Sequence, residues 1–144
     1  MSILAGDDEN HPHAVAQRFY DAVNHVMSGD AAPMLELWSE QDDVTYFDPR
    51  GEIHRGRDAL VSYWERAAST NRETPGAIGV TAKHVAIHAD DLLLSTVTVE
   101  HIMINGEGQA SRQQARATNV YRREARDWRM VHRYSEPTRA SIKY

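Results

Sequence analysis

Asp42-Asp43-Val44-Thr45-Tyr46-Phe47-Asp48-Pro49-Arg50-Gly51 is followed, two residues on, by His54-Arg55-Gly56-Arg57-Asp58-Ala59-Leu60 and then by Tyr63-Trp64. The first part alternates. Val44, Tyr46 and Asp48 share one side of an extended chain and Thr45 and Phe47 the other, so Asp43 to Asp48 predicts a short strand. Proline fixes φ and glycine tolerates positive φ, so Pro49-Arg50-Gly51 turns the chain. After Gly56 a helix is expected, with Leu60, Tyr63, Trp64 and Ala67 at 3–4 spacing and its aromatic side toward a sheet.

Toward the N-terminus, residues 1–10 read as a flexible tail, and Asn10 can cap a helix that tolerates Pro12 in its first turn. Val15, Phe19, Ala22, Val23 and Val26 give that helix one apolar stripe through about Met27, with Tyr20 at its edge. Gly29-Asp30 ends it and starts a second helix, with Pro33 in the first turn and Met34, Leu35, Leu37 and Trp38 on the apolar side. Toward the C-terminus, Asn71 to Gly79 is a polar loop. Strands follow at about 80–89, 92–104, 112–124 and 128–135, with turns expected at Asn105-Gly106 and Arg126-Asp127. Helices first and long strands afterwards is an α+β order. The expected architecture over 11–144 is three N-terminal helices packed in a strongly curved, mostly antiparallel sheet, a cone whose central pocket suits a ligand.

Composition agrees with one globular unit. The chain has 144 residues, 41% hydrophobic and 26% charged. No apolar run reaches the roughly 20 residues of a membrane helix. The short acidic start lacks the pattern of a secretory signal, and zero cysteines removes disulfides, thiol nucleophiles and cysteine-ligated zinc. A cytoplasmic location is the resulting expectation. Net charge is −5, yet nine Lys/Arg face only three Asp/Glu from Arg112 onward. Those arginines alternate with apolar residues, which points to ion pairing within and between subunits rather than to nucleic acid.

Beyond the first stretch, Arg116-Ala117-Thr118-Asn119-Val120-Tyr121-Arg122-Arg123 and Trp128-Arg129-Met130-Val131-His132-Arg133-Tyr134-Ser135 complete a pattern. The first stretch resembles the ketosteroid isomerases and the second is similar to SnoaL-like domains. Both belong to the nuclear-transport-factor-two-like superfamily, which also holds scytalone dehydratase and the calmodulin-dependent kinase association domain. The resemblance covers roughly residues 12–136. It implies a cone fold, with Asp48 as a base moving a proton on carbon and Tyr20 as an oxyanion-hole donor. The isomerases' second donor is a protonated aspartic acid; Asn119 stands at the matching position here.

The residues by themselves allow more than one role. If the Val44–Tyr46–Asp48 side faces the pocket, apolar surroundings raise the Asp48 pKa toward that of a useful base. Asp48 can equally cap its own Asp-Pro-Arg-Gly turn, and the two roles can coexist. Tyr20 is either a core tyrosine with a satisfied hydroxyl or a catalytic donor. Asn119 is either a satisfied buried amide or a donor to a carbonyl oxygen. Phe19, Val44, Tyr46, Tyr63, Trp64, His132 and Tyr134 are the expected pocket walls. His132 is placed there by the phase Trp128, Met130, His132, Tyr134, whereas a one-residue shift would turn Val131 and Arg133 inward. The histidines suggest no metal, since His84 and His88 on one strand lie roughly 13 Å apart. No serine elbow, phosphate loop or dinucleotide fingerprint is present, and no cofactor is expected. Two functions remain: a cofactor-free isomerase, lyase or cyclase acting next to a carbonyl, or a non-catalytic binding or assembly domain. The expected partners are a small apolar or carbonyl-containing molecule and a second copy of the chain, met through the strand side bearing Arg116, Thr118, Val120 and Arg122.

Overall fold

The computed structural model describes residues 11–106 and 108–138; the expected tail, the Asn10 cap and the last six residues lie outside them. Three helices come first: α1 (Pro12–Val26), α2 (Ala32–Leu37) and, after two short strands, α3 (Arg57–Asn71). The strands are β1 (Thr45–Phe47), β2 (Ile53–Arg55), β3 (Ile78–Ala89), β4 (Leu93–Gly106), β5 (Gln109–Glu124) and β6 (Asp127–Pro137). They make one sheet in the order β2-β1-β6-β5-β4-β3. All neighbours are antiparallel except β1 and β6. The sheet is curled but not closed, with β2 and β3 at its two edges.

The helix stripes pack into the curl. Val15, Phe19, Ala22, Val23 and Val26 of α1 are buried with Leu60 and Trp64 of α3 and Val44, Tyr46, Leu94, Tyr121, Trp128 and Met130 beneath them. Capping follows side-chain chemistry. His11 accepts from the His13 amide at the start of α1. Asn24 spans from α1 to β3, accepting from the Val80 amide and donating to the Val80 carbonyl. Gly56 has φ +87°, and a Cβ there would sit 2.8 Å from the Asp42 carboxylate, which accepts from the Arg57 amide at the start of α3. The Arg57 guanidinium donates to the carbonyls of Leu35, Trp38 and Ser39 at the end of α2. The Gly-Arg pair of the first stretch is therefore a helix-to-helix clamp.

Two turn positions and one strand phase are corrected, and one short strand is added. The residues after the Pro49-Arg50-Gly51 turn form strand β2, too short to show a period. Asn105 and Gly106 belong to β4 rather than to a turn, because they still pair with Ala110 and Gln109 of β5. The β5–β6 turn is Ala125-Arg126, closed by the Glu124–Asp127 pair. The last correction concerns the site. The β5–β6 register shifts between Val120 and Tyr121, leaving Val131 unpaired. This bulge reverses the side-chain phase of β6, so Trp128, Met130, Arg133 and Ser135 are buried while Tyr134 is 42% exposed.

Candidate functional site

The β1–β2 hairpin builds its site around Asp48. Its Oδ1 accepts from the amides of Arg50 (2.9 Å) and Glu52 (3.0 Å), and its Oδ2 lies 2.9 Å from His54 Nε2. Burial alone would push this carboxyl up. The His54 contact and the two amides outweigh it and hold the pKa below the usual carboxylate range. The expectation of a raised pKa is thus overturned. A carboxylate with three donors is stabilised as the anion even where water is scarce. Glu52, Asp48 and His54 bring potential ligand atoms within 4.8 Å of one another. Both oxygens of Asp48 are already committed within the chain, so we assign no ion to them.

A second polar centre sits inside the curl. Cross-strand pairing aligns Thr96, Asn119, Arg133, Tyr46 and His54 in one row across β4, β5, β6, β1 and β2. Arg133 grips Glu100 at 2.8 and 3.0 Å and also donates to Asn119 Oδ1 at 3.0 Å. The Tyr20 hydroxyl donates to the same Glu100 carboxylate at 2.8 Å. Phe19 lies under the guanidinium, 4.5 Å from its ring centre. Burial opposes the charge on Arg133, yet Glu100 holds its pKa well above the ordinary value. Burial and the neighbouring Glu100 raise the Tyr20 pKa, so the phenol stays protonated.

Two neighbouring spaces adjoin these centres. An inner chamber of about 130 Å³ is bounded by Tyr46, Tyr63 and Trp64 on one side and by Glu100, Arg133 and Ser135 on another. An outer opening of about 570 Å³ is lined by Asp48, Arg50, Glu52, Tyr63 and Arg66 among others. Met27, Pro49, Tyr63 and Ile78 line both, which makes the opening the mouth of the chamber. The aromatic wall is ordered by its own contacts: Tyr46 and Trp64 stack at 5.5 Å, and Tyr63 meets both edge-on at 4.9 Å. A separate groove of about 380 Å³, edged by Arg18, Asp21, Glu36, Asp127 and Arg129, lies away from these residues.

Residues 13–138 match the family description of the SnoaL-like domain. The chain belongs to the SnoaL-like domain family. A search of curated proteins finds no match. Among solved structures, this SnoaL-like domain is similar to a candidate calcium/calmodulin-dependent protein kinase type II association domain from Thiobacillus denitrificans. Identity is 28%, coverage is 89% of this chain and 95% of that one, and the TM-score is 0.72. An NTF2-like protein with a cystatin-like fold from Novosphingobium aromaticivorans shares 18% identity over 96% of this chain and 87% of that one, with a TM-score of 0.74. The association domain of C. elegans CaMKII shares 15% over 90% and 98%, with a TM-score of 0.69.

Within this SnoaL-like domain, the residues singled out by sequence fall in different places. Tyr20 and Asn119 meet at the Glu100–Arg133 pair, whereas Asp48 stands on the rim of the mouth. Tyr46, Tyr63 and Trp64 line the chamber; Phe19 and Val44 are buried behind it. His132 and Tyr134 do not join the wall. They lie on the outer sheet face, packed on Phe47, with His132 Nδ1 2.8 Å from Thr45 Oγ1. Burial lowers the His132 pKa, partly offset by its hydrogen bond at Thr45. Glu100, Arg133, Ser135 and His54 were missed. The first three sit on long strands where polar and charged residues read as solvent-facing. The bulge at Val131 is the feature that turns Arg133 and Ser135 inward.

Proposed function

We propose that this SnoaL-like domain is a small-molecule-binding protein whose ligand enters through the Asp48-rimmed mouth and ends against the Glu100–Arg133 pair. One observation carries the reading: a fully buried ion pair stands at the end of an aromatic chamber. Well-packed apolar residues commonly serve stability as well as a buried pair does, so its position against open space favours recognition. Titration of isotopically labelled protein with small carbonyl compounds is the test. Saturable shifts at Tyr46, Tyr63 and Trp64 are expected; shifts confined to the outer sheet face would sink the proposal.

The contact between Asp48 and His54 on the rim favours a second reading, proton transfer next to a carbonyl by a cofactor-free isomerase, lyase or cyclase. Asp48 would be the base and Tyr20 and Asn119 the donors. It ranks second because the Asp48 pKa is lowered and the Tyr20 hydroxyl is spent on Glu100. Under this reading Asp48→Asn lowers turnover by roughly 10²–10⁴-fold with the fold kept intact. Unchanged turnover would eliminate it. We also infer a homodimer formed through the outer sheet face. An association domain with the same fold supports self-assembly, and the cysteine-free composition suits a cytoplasmic location.

A further inference from the structure

We propose that the chamber selects a neutral ligand with a small hydrogen-bond-accepting head, such as a ketone, amide or lactone carbonyl, and excludes carboxylates. The inference rests on the binding reading above and adds the charge, size and polarity of what is bound. Size comes first. About 130 Å³ is slightly less than the 150 Å³ of an engineered cavity that holds benzene, so the chamber has room for one small ring or a short branched group at most. Anything longer must extend into the mouth past Met27, Pro49 and Ile78.

Polarity comes from atoms left without partners. Among the described residues, Arg133 Nε, Ser135 Oγ and Trp64 Nε1 are buried and make no hydrogen bond within the chain. Their residues all line the chamber and are only 5%, 3% and 3% exposed. Two are N–H donors and the third is a hydroxyl that can donate. A buried donor without a partner is costly, so an acceptor that reaches this wall relieves that cost. Asn119 Nδ2 is likewise unpartnered, directly across the strands from Arg133.

Charge decides between a carbonyl and a carboxylate. The Arg133 cation is already matched by Glu100 in a two-point contact. A ligand carboxylate placed there would meet the Glu100 carboxylate with no spare cation, and low-dielectric surroundings magnify that repulsion. The mouth gives no compensating field, because Arg50 and Arg66 face Asp48 and Glu52. A neutral carbonyl takes the Arg133 Nε–H and the Ser135 hydroxyl without disturbing the pair.

Cyclohexanone, cyclohexanecarboxamide and cyclohexanecarboxylate form the test, the last two matched in size and shape and differing in charge. Proton–nitrogen spectra of the full chain follow the Arg133 Nε–H and Trp64 indole signals at neutral pH. Cyclohexanone and the carboxamide should shift both saturably, and the carboxylate should bind at least tenfold more weakly than the carboxamide or not at all. Ser135→Ala should weaken cyclohexanone by roughly two- to tenfold, the usual loss for one neutral hydrogen bond. If the carboxylate binds as well as the carboxamide, or better, the neutral-ligand inference falls while the binding reading survives. If all three probes leave the chamber signals unmoved, the binding reading falls and takes this inference with it. Ketone binding that Ser135→Ala does not weaken would overturn the assigned acceptor position.

Discussion

Arg133 shows how one side chain can hold a site together and constrain what the site accepts. Its guanidinium is pinned by Glu100, by Asn119 and by the face of Phe19, so its orientation is fixed before any ligand arrives. Removing one member of such a pair strands the other as a buried charge. Arg133→Met should therefore cost about 3–5 kcal/mol in urea unfolding, and adding Glu100→Leu should restore much of it. Asp48 is held differently, by its turn and by His54. Its folded pKa is depressed, so its contribution is present above the unfolded value of about 3.9 and is lost as pH falls through the folded value. Melting curves of Asp48→Asn and the unsubstituted protein should differ at neutral pH and converge as the pH drops below about 4. A gap of constant size across that range would show that the charge on Asp48 contributes nothing to the fold.

The elements explain why some of the site was legible and some was not. Helix faces follow a 3.6-residue period over four turns, so the burial of Phe19, Tyr20 and Trp64 could be anticipated from spacing alone. The same held for Val44, Tyr46 and Asp48, where a short strand and a proline leave little room for slippage. Strand β6 failed the test of simple alternation. One extra residue, Val131, exchanges its inner and outer faces midway, and no local residue type announces a bulge there. His132 and Tyr134 were read inward and Arg133 outward for that single reason. Glu100 was missed because a carboxylate among β-branched residues reads as exposed until its partner on another strand is known. The neighbouring turn offers a direct test of strand-level energetics. Ala125 has φ +54°, a left-handed conformation that costs a residue with a Cβ. Ala125→Gly should raise stability by about 0.5–1 kcal/mol in chemical denaturation without altering the pocket. A loss of stability would mean that the unfolded-chain entropy of glycine outweighs the relief at the turn.

At the scale of the molecule, four of the seven described arginines from Arg112 onward pair with carboxylates of the same chain. Arg122 binds Asp43 and Glu124, Arg129 pairs with Asp127, Arg116 with Glu136 and Arg133 with Glu100. The outer sheet face is consequently less cationic than its arginine count suggests, and its centre mixes apolar with small polar side chains. Pairing aligns Val97, Thr118, Tyr134 and Phe47 in one outer row and Ser95, Val120, His132 and Thr45 in the next. Val97 and Tyr134 are each 42% exposed at the middle of that face, where a large side chain gains by being covered. A standard interface buries about 800 Å² per partner, less than a tenth of the 9191 Å² surface of one chain. Two copies meeting face to face would cover these rows by a twofold axis and leave both mouths open on the other side of the sheet. Light scattering at tens of micromolar should then give twice the 16.3 kDa chain mass. Val97→Lys, which places a charge in an outer row and touches neither the chamber nor the Asp48 turn, should shift the mass toward that of one chain. Ligand-induced shifts at Trp64 should persist in this variant. A single-chain mass for the unsubstituted protein at that concentration would rule out the outer face as a stable interface.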